Sequence, residues 1–214
     1  GAVQVWPMDV PRALYHTDWV ADRTLAWLGE QGQSPWFCWM SFPDPHHPWD
    51  VPRSELHRVN WRDLDLPAAY LDGDDARRVL STKPKHWLGY YEASLWSNLE
   101  SPREYVPADM TADQVREINA MTHIENELID EACQRVIDYL KAQNLYDQTD
   151  IFFTTDHGEL QGDYGLMFKG PYHVDALMRL PLIWKPGQEG GAPEVIDEPV
   201  GHVDLAPTFC AIAG

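Results

Sequence analysis

The chain is poor in positive charge. Sixteen Lys and Arg stand against 34 Asp and Glu, a formal net charge of −18 over 214 residues. That balance argues against nucleic acid and against anionic membrane surfaces as general partners, since both repel an acidic surface. Cysteine is also scarce. Cys38, Cys133 and Cys210 lie far apart and none sits in a Cys-x-x-Cys pair, so they are expected as small buried side chains and not as disulfides or a thiolate metal site. No apolar run is long enough to span a membrane. The glycine-rich stretch 187–194 has no Lys or Ser/Thr at phosphate-loop spacing, which excludes a nucleotide cradle there. The opening Gly-Ala-Val-Gln-Val is neither a signal peptide nor a natural start, and the expectation is of the middle of a longer protein. What is left is a soluble, cation-attracting chain of a length that suits one α/β domain. Any anionic substrate would need a local positive site against the overall field.

The stretch from Asp150 to Gly170 is the most informative. Ile151 to Phe153, followed by Thr154 and Thr155, has the composition of a short buried strand. It stops at Asp156, His157 and Gly158, and in open α/β sheets the carboxyl ends of strands are where ligands bind. Asp156 offers a hard anionic oxygen and His157 a neutral nitrogen, half of a plausible metal shell. An Asp-His pair after a strand is, equally, a common turn with a helix cap. Lys169 follows twelve residues after His157, placed to hold an anionic ester oxygen.

Around this stretch the expected elements are conventional. Thr17 is expected to cap a helix with Ala21, Leu25 and Leu28 on one face, ended by Gly32. Residues 35–42 form a continuous apolar run of strand length, predicting a buried parallel strand. It breaks into Pro43-Asp44-Pro45-His46-His47-Pro48, where three prolines fix a rigid loop that could aim a histidine into a cleft. Lys85 to Leu99 is expected to be helical in part. Trp49, Trp61 and Trp87 could stack on a sugar or aryl group, although core packing is the commoner use of such residues. Thr111 and Gln114 fit a capping box opening a helix to Lys141, with Asn144 closing it. On that helix Glu125, Glu127, Asp130 and Glu131 are expected on a solvated face, with a carboxylate cluster as the alternative, although either Ile124 or Glu125 can fill the same place on the apolar period. A short helix over Tyr172 to Arg179, a strand over Leu180 to Trp184 and a helix capped by Asp204 complete the prediction.

These pieces together resemble the sulfatase family of the alkaline-phosphatase superfamily, including its phosphonate monoester hydrolase branch. The resemblance rests on Asp156-His157-Gly158-Glu159, on Gly162-Asp163-Tyr164-Gly165-Leu166 with Lys169, and on Pro45-His46-His47-Pro48. Arg179 to Ile183 and Gly201 to Thr208 add to it. It covers 15–52 and 118–214, roughly two thirds of the chain. It implies an α/β, alkaline-phosphatase-like fold with a mostly parallel or mixed sheet flanked by helices, incomplete at the N-terminus. Residues 1–214 would be part of one catalytic domain, with 53–107 a variable insert walling the substrate cleft.

The same resemblance implies that Asp156 and His157 bind one divalent metal, with calcium the first choice and manganese, magnesium or zinc also compatible. It implies that Lys169 and His46 act on the ester group, with His47 on a variable position. The substrate would be a small-molecule sulfate ester, with phosphonate and phosphate esters as the alternative, and an oligomer is compatible with either. The family's nucleophile lies in Cys-x-Pro-x-Arg or Ser-x-Pro-x-Arg and matures to formylglycine. Neither motif occurs here, nor does the strand ending in paired aspartates that completes the metal shell; Asp74-Asp75 follows a glycine and no apolar run. The expectation is therefore the C-terminal part of a sulfatase catalytic domain, inactive alone, with its nucleophile outside this chain. A non-catalytic acidic module that binds a metal or a partner is the reading from another class.

Overall fold

The structure is a computed structural model that describes residues 1–32, 34–95, 105–187 and 194–214. Six helices and two strands are assigned within them. These are α1 (His16–Glu30), α2 (Gly73–Leu80), α3 (Lys85–Tyr91), α4 (Ala112–Ala142), β1 (Ile151–Thr154), α5 (Asp175–Met178), β2 (Leu182–Lys185) and α6 (Leu205–Ala213).

The long helix α4 is the spine. Its start is fixed by a reciprocal cap: the Gln114 backbone N–H donates to Thr111 Oγ1, and the Thr111 backbone N–H donates to Gln114 Oε1. Val115, Ile118, Met121, Ile124 and Leu128 then recur at helical spacing and are buried. Asn144 ends the run with a left-handed backbone, φ 56°, as residues just past a helix often do. Helix α1 packs along α4, and Arg135 joins them through Asp18 and Asp22. The core includes Trp49, Tyr91, Leu160, Leu166, Met167 and Phe168 on the α4 side of the chain. A side chain such as Phe168, 1 % exposed, contributes about 1.5–3 kcal/mol by its removal from water. Trp49 and Trp87 belong to this core and are closed to any sugar or aryl ligand.

Several expectations fail for identifiable physical reasons. The sheet among the described residues is two antiparallel strands, Ile151 opposite Lys185 through Thr154 opposite Leu182, not a parallel sheet. Residues 35–42 pair with no strand among the described residues, and Phe37 and Trp39 are 64 % and 68 % exposed. A strand needs a paired neighbouring backbone as well as an apolar composition, and this segment has no such pairing among the described residues. Thr17 is inside α1, whose N-cap is Tyr15. Its hydroxyl donates to Asp44 Oδ2 at 2.5 Å instead. Glu125 is wholly buried, off the solvated face where its neighbours Glu127, Asp130 and Glu131 do lie. Cys38 and Cys133 are half-buried and Cys210 is exposed, all three with free thiols. Arg179 is exposed and makes no ion pair among the described residues. Of the Lys85 to Leu99 prediction, Lys85 to Tyr91 is helix α3, 92–95 are not helical, and 96–99, with Trp96, lie outside the described residues, as does most of the glycine-rich stretch. No helix among the described residues is long and apolar enough to cross a membrane.

Candidate functional site

Strand β1 delivers Thr155, Asp156 and His157 at its carboxyl end. The Asp156 carboxylate accepts from the His157 backbone N–H at 2.9 Å and from the Thr155 hydroxyl at 3.3 Å. Partial burial works to raise its pKa, but the His157 amide and ring outweigh that and hold it below the usual carboxylate range. His157 Nδ1 lies 2.9 Å from the Gly158 carbonyl oxygen. That acceptor fixes the proton on Nδ1 and leaves the Nε2 lone pair outward, as a metal ligand requires. Nε2 is 3.6 Å from Asp156 Oδ2, a spacing that two ligands of one ion can share after a small adjustment. Both side chains are exposed. The donor set therefore fits a divalent cation, with these two residues supplying part of its shell.

Gly158 is needed here for space. Its N–H donates to the Leu177 carbonyl, and an added Cβ would stand 1.8 Å from the Ala176 carbonyl oxygen. No rotamer relieves a clash with backbone. Gly158→Ala is expected to cost about 3 kcal/mol, the upper end for overpacking. Urea denaturation checks this, and a loss under about 1 kcal/mol would contradict it.

The chain then turns back on itself. Leu160 N–H donates to the Phe168 carbonyl and Gly162 N–H to the Leu166 carbonyl, closing a compact turn over Asp163 to Gly165. Gly165 has φ 73°, a conformation glycine takes without strain. This turn returns Lys169 to the side of Glu159, with Nζ 3.8 Å from Glu159 Oε1. Glu159 follows His157 by two residues, so the lysine is brought back to roughly 7 Å of chain from the metal-type pair.

From 123 residues earlier comes His46. Its Nε2 is 2.6 Å from Lys169 Nζ. Its Nδ1 is 2.6 Å from the His47 carbonyl oxygen and must donate to it. Nε2 is then an acceptor, and the lysine ammonium donates to it. The pair holds one positive charge across two nitrogens. The loop that carries His46 has cis peptides before Pro45 and Pro48. His47 lies buried beneath it, its ring 4.2 Å from that of His46 and 4.4 Å from Phe168. His47 thus supports the pair from below, in keeping with the smaller weight it carries in the sequence.

The four residues expected from sequence fall into two pairs, Asp156 with His157 and His46 with Lys169. Glu159 and Gly158 join them on the same turn. Sequence reasoning missed Glu159 as the lysine's neighbour; His202, which the sequence reading sets in the general region of the site with a structural role as the commoner use, has its Nε2 2.8 Å from the Thr155 carbonyl at the end of β1. Nothing in the local pattern marks either contact.

Comparison with known proteins gives a family model, Sulfatase, matching residues 4–214. The chain is 28% identical to an uncharacterized sulfatase, YidJ, of Escherichia coli, over 91% of this chain and 35% of that protein. It is 26% identical to the multifunctional alkaline phosphatase superfamily protein PehA of Trinickia caryophylli, over 95% of this chain and 39% of that protein. Among solved structures it is similar to a phosphonate monoester hydrolase of Agrobacterium radiobacter, with TM-score 0.69 and 26% identity, covering 87% of this chain and 37% of that one. The chain spans under half the length of these relatives.

Proposed function

Because the chain belongs to the sulfatase family, we propose that it carries the ester-gripping part of a metal-dependent hydrolase of small-molecule sulfate esters. The observation that supports this most is the 2.6 Å approach of Lys169 Nζ to His46 Nε2, two residues brought together from distant parts of the chain beside the Asp156-His157 pair. In this reading Lys169 and His46 bind the non-bridging oxygens of the anionic ester. They supply the positive charge that a molecule of net charge −18 otherwise withholds from an anion. The proton held between their two nitrogens is positioned for the leaving oxygen. Asp156 and the Nε2 of His157 hold a divalent cation, calcium by preference, with manganese, magnesium or zinc also suited to this donor set. Such a cation, when bound, supplies Lewis-acid stabilisation of the charge that develops on the ester. The nucleophile, formylglycine in this reading, is contributed from outside residues 1–214, and these residues alone do not turn over sulfate esters.

A phosphonate or phosphate ester hydrolase is the second reading, favoured by the similarity to the Agrobacterium radiobacter structure. The two separate in one comparison, made on the protein as its gene encodes it: kcat/KM on an aryl sulfate against kcat/KM on an aryl phosphonate monoester. A higher value on the sulfate is expected. A higher value on the phosphonate moves the assignment to the second reading, and turnover of neither ester with metal bound overturns both.

A further inference from the structure

Beneath the His46 loop lies a second group of ligating side chains that the ester site does not use. His16 Nε2 and Asp44 Oδ1 are 2.6 Å apart, and donor atoms of His16, Asp44 and Asp50 all lie within 4.8 Å of one another. Three elements meet there: His16 opens α1, Asp44 and Asp50 flank the loop, and Glu125 faces them from α4.

Glu125 is 0 % exposed, and neither of its carboxylate oxygens has a hydrogen-bond partner of ordinary geometry among the described residues, the Asp50 backbone N–H being the polar group beside it. Burial first, and then the charges of Asp44 and Asp50, push its pKa up to about 10; the nearby Asp50 amide opposes this weakly. Tyr15 is 1 % exposed, and its hydroxyl also lacks a hydrogen bond of ordinary geometry. Burial raises the Tyr15 pKa, and Asp44, Glu125 and Asp50 raise it further, so the phenol belongs to the same group. Asp50 is raised by burial and lowered by His16, and His16 is raised by its bond to Asp44.

Three carboxylates, Glu125 wholly buried among them, thus gather about one imidazole. Protons can cancel the charge. They do not provide partners for both oxygens of Glu125, and a buried polar group without partners is costly. A cation provides charge and partners together.

We infer that His16, Asp44, Asp50 and Glu125 bind a divalent cation of their own, with Asp44 and Asp50 as the central ligands. Binding displaces the proton shared by His16 and Asp44, frees His16 Nε2 as a nitrogen ligand, and draws in Glu125 directly or through one water. The mixed nitrogen and oxygen set suits manganese or zinc better than magnesium. The cation ties the loop to α1 and α4 at both sides of His46, and so positions His46 opposite Lys169.

The test uses Mn²⁺ as probe, on protein stripped with EDTA. The background is a double variant, Asp156→Asn with His157→Ala, which removes the other metal-type pair. Low-temperature EPR counts bound Mn²⁺, and thermal unfolding follows its effect. The double variant is expected to keep about one Mn²⁺ per chain and to melt higher with Mn²⁺ than without it. Adding Asp50→Asn is expected to abolish both effects, and adding Glu125→Gln to weaken binding at least tenfold. Both substitutions keep the size and shape of the side chain they replace, so folding is preserved. If the double variant does not fold, Asp50→Asn in the otherwise unaltered protein must lower the Mn²⁺ count by one. Absence of Mn²⁺ from the folded double variant, or a count unchanged by Asp50→Asn, overturns the inference and leaves the cluster holding protons and water.

Discussion

Lys169→Ala is expected to lower kcat/KM on an aryl sulfate by about 10²–10³-fold in the protein as its gene encodes it, in line with the loss of one preorganised charge donor. An anionic ester approaches a molecule with 34 acidic and 16 basic residues, so local positive charge decides whether it binds productively. Lys169 is the cation that the turn over Asp163 to Gly165 returns to the site, and His46 is oriented by its own Nδ1 bond to serve as its partner. Removing the lysine takes away the charge and the donor that His46 Nε2 accepts from. Metal content should not change, because a lysine ammonium has no lone pair to offer a metal. Lys169→Arg should recover only part of the loss, since a planar guanidinium does not reproduce a compact ammonium. Steady-state kinetics of the three proteins, with metal content measured alongside, checks each point. Equal loss of metal and activity in Lys169→Ala would show that the lysine acts through the metal site and not on the ester.

Glu125→Gln is expected to stabilise the metal-free protein in a pH-dependent way. In metal-free protein the folded state keeps Glu125 protonated up to about pH 10, while the unfolded chain loses that proton near the ordinary pKa of 4.5. Between those values the folded state binds more protons, so stability falls as pH rises. Below about pH 4.5 both states are protonated and the group has no net effect. By pH 7 the loss from this residue is about 3 kcal/mol. Gln has the same shape and no proton to lose. In EDTA, Glu125→Gln should therefore be close to neutral at pH 4.5, and should gain about 3 kcal/mol over the unaltered protein at pH 7. Urea denaturation at the two pH values reads this directly. A variant that is equally destabilised at both would show that Glu125 is held by hydrogen bonds that its burial conceals.

Local chemistry was legible in the sequence; long-range pairing was less so. The cap at Thr111 and Gln114, the apolar stripe from Val115 to Leu128 and the stop at Asn144 are all set by neighbours within four residues, and all are present. Asp156, His157, Lys169 and His46 stand out in the sequence through the family resemblance of Asp156-His157-Gly158-Glu159, the spacing to Lys169 and Pro45-His46-His47-Pro48. Which of them come together is a tertiary fact: the Lys169 to His46 contact crosses 123 positions. Residues 35–42 mislead for the same reason. Their composition is that of a buried strand, but pairing depends on a partner backbone that composition does not encode. Glu125 misleads most. Among Glu127, Asp130 and Glu131 it has the pattern of a solvated face, and only the packing of α1 and the His46 loop against α4 takes it out of water.

In the proposed function, ester hydrolysis depends on a metal held by Asp156 and His157. The most direct measurement is aryl sulfate turnover as a function of added divalent cation, in the protein as its gene encodes it and in its Asp156→Asn variant. The account predicts that turnover vanishes in EDTA, returns on adding Ca²⁺ or Mn²⁺, and stays at least about 10²-fold lower in Asp156→Asn at saturating metal. Turnover that survives EDTA, or that is the same in Asp156→Asn and the unaltered protein, would contradict it.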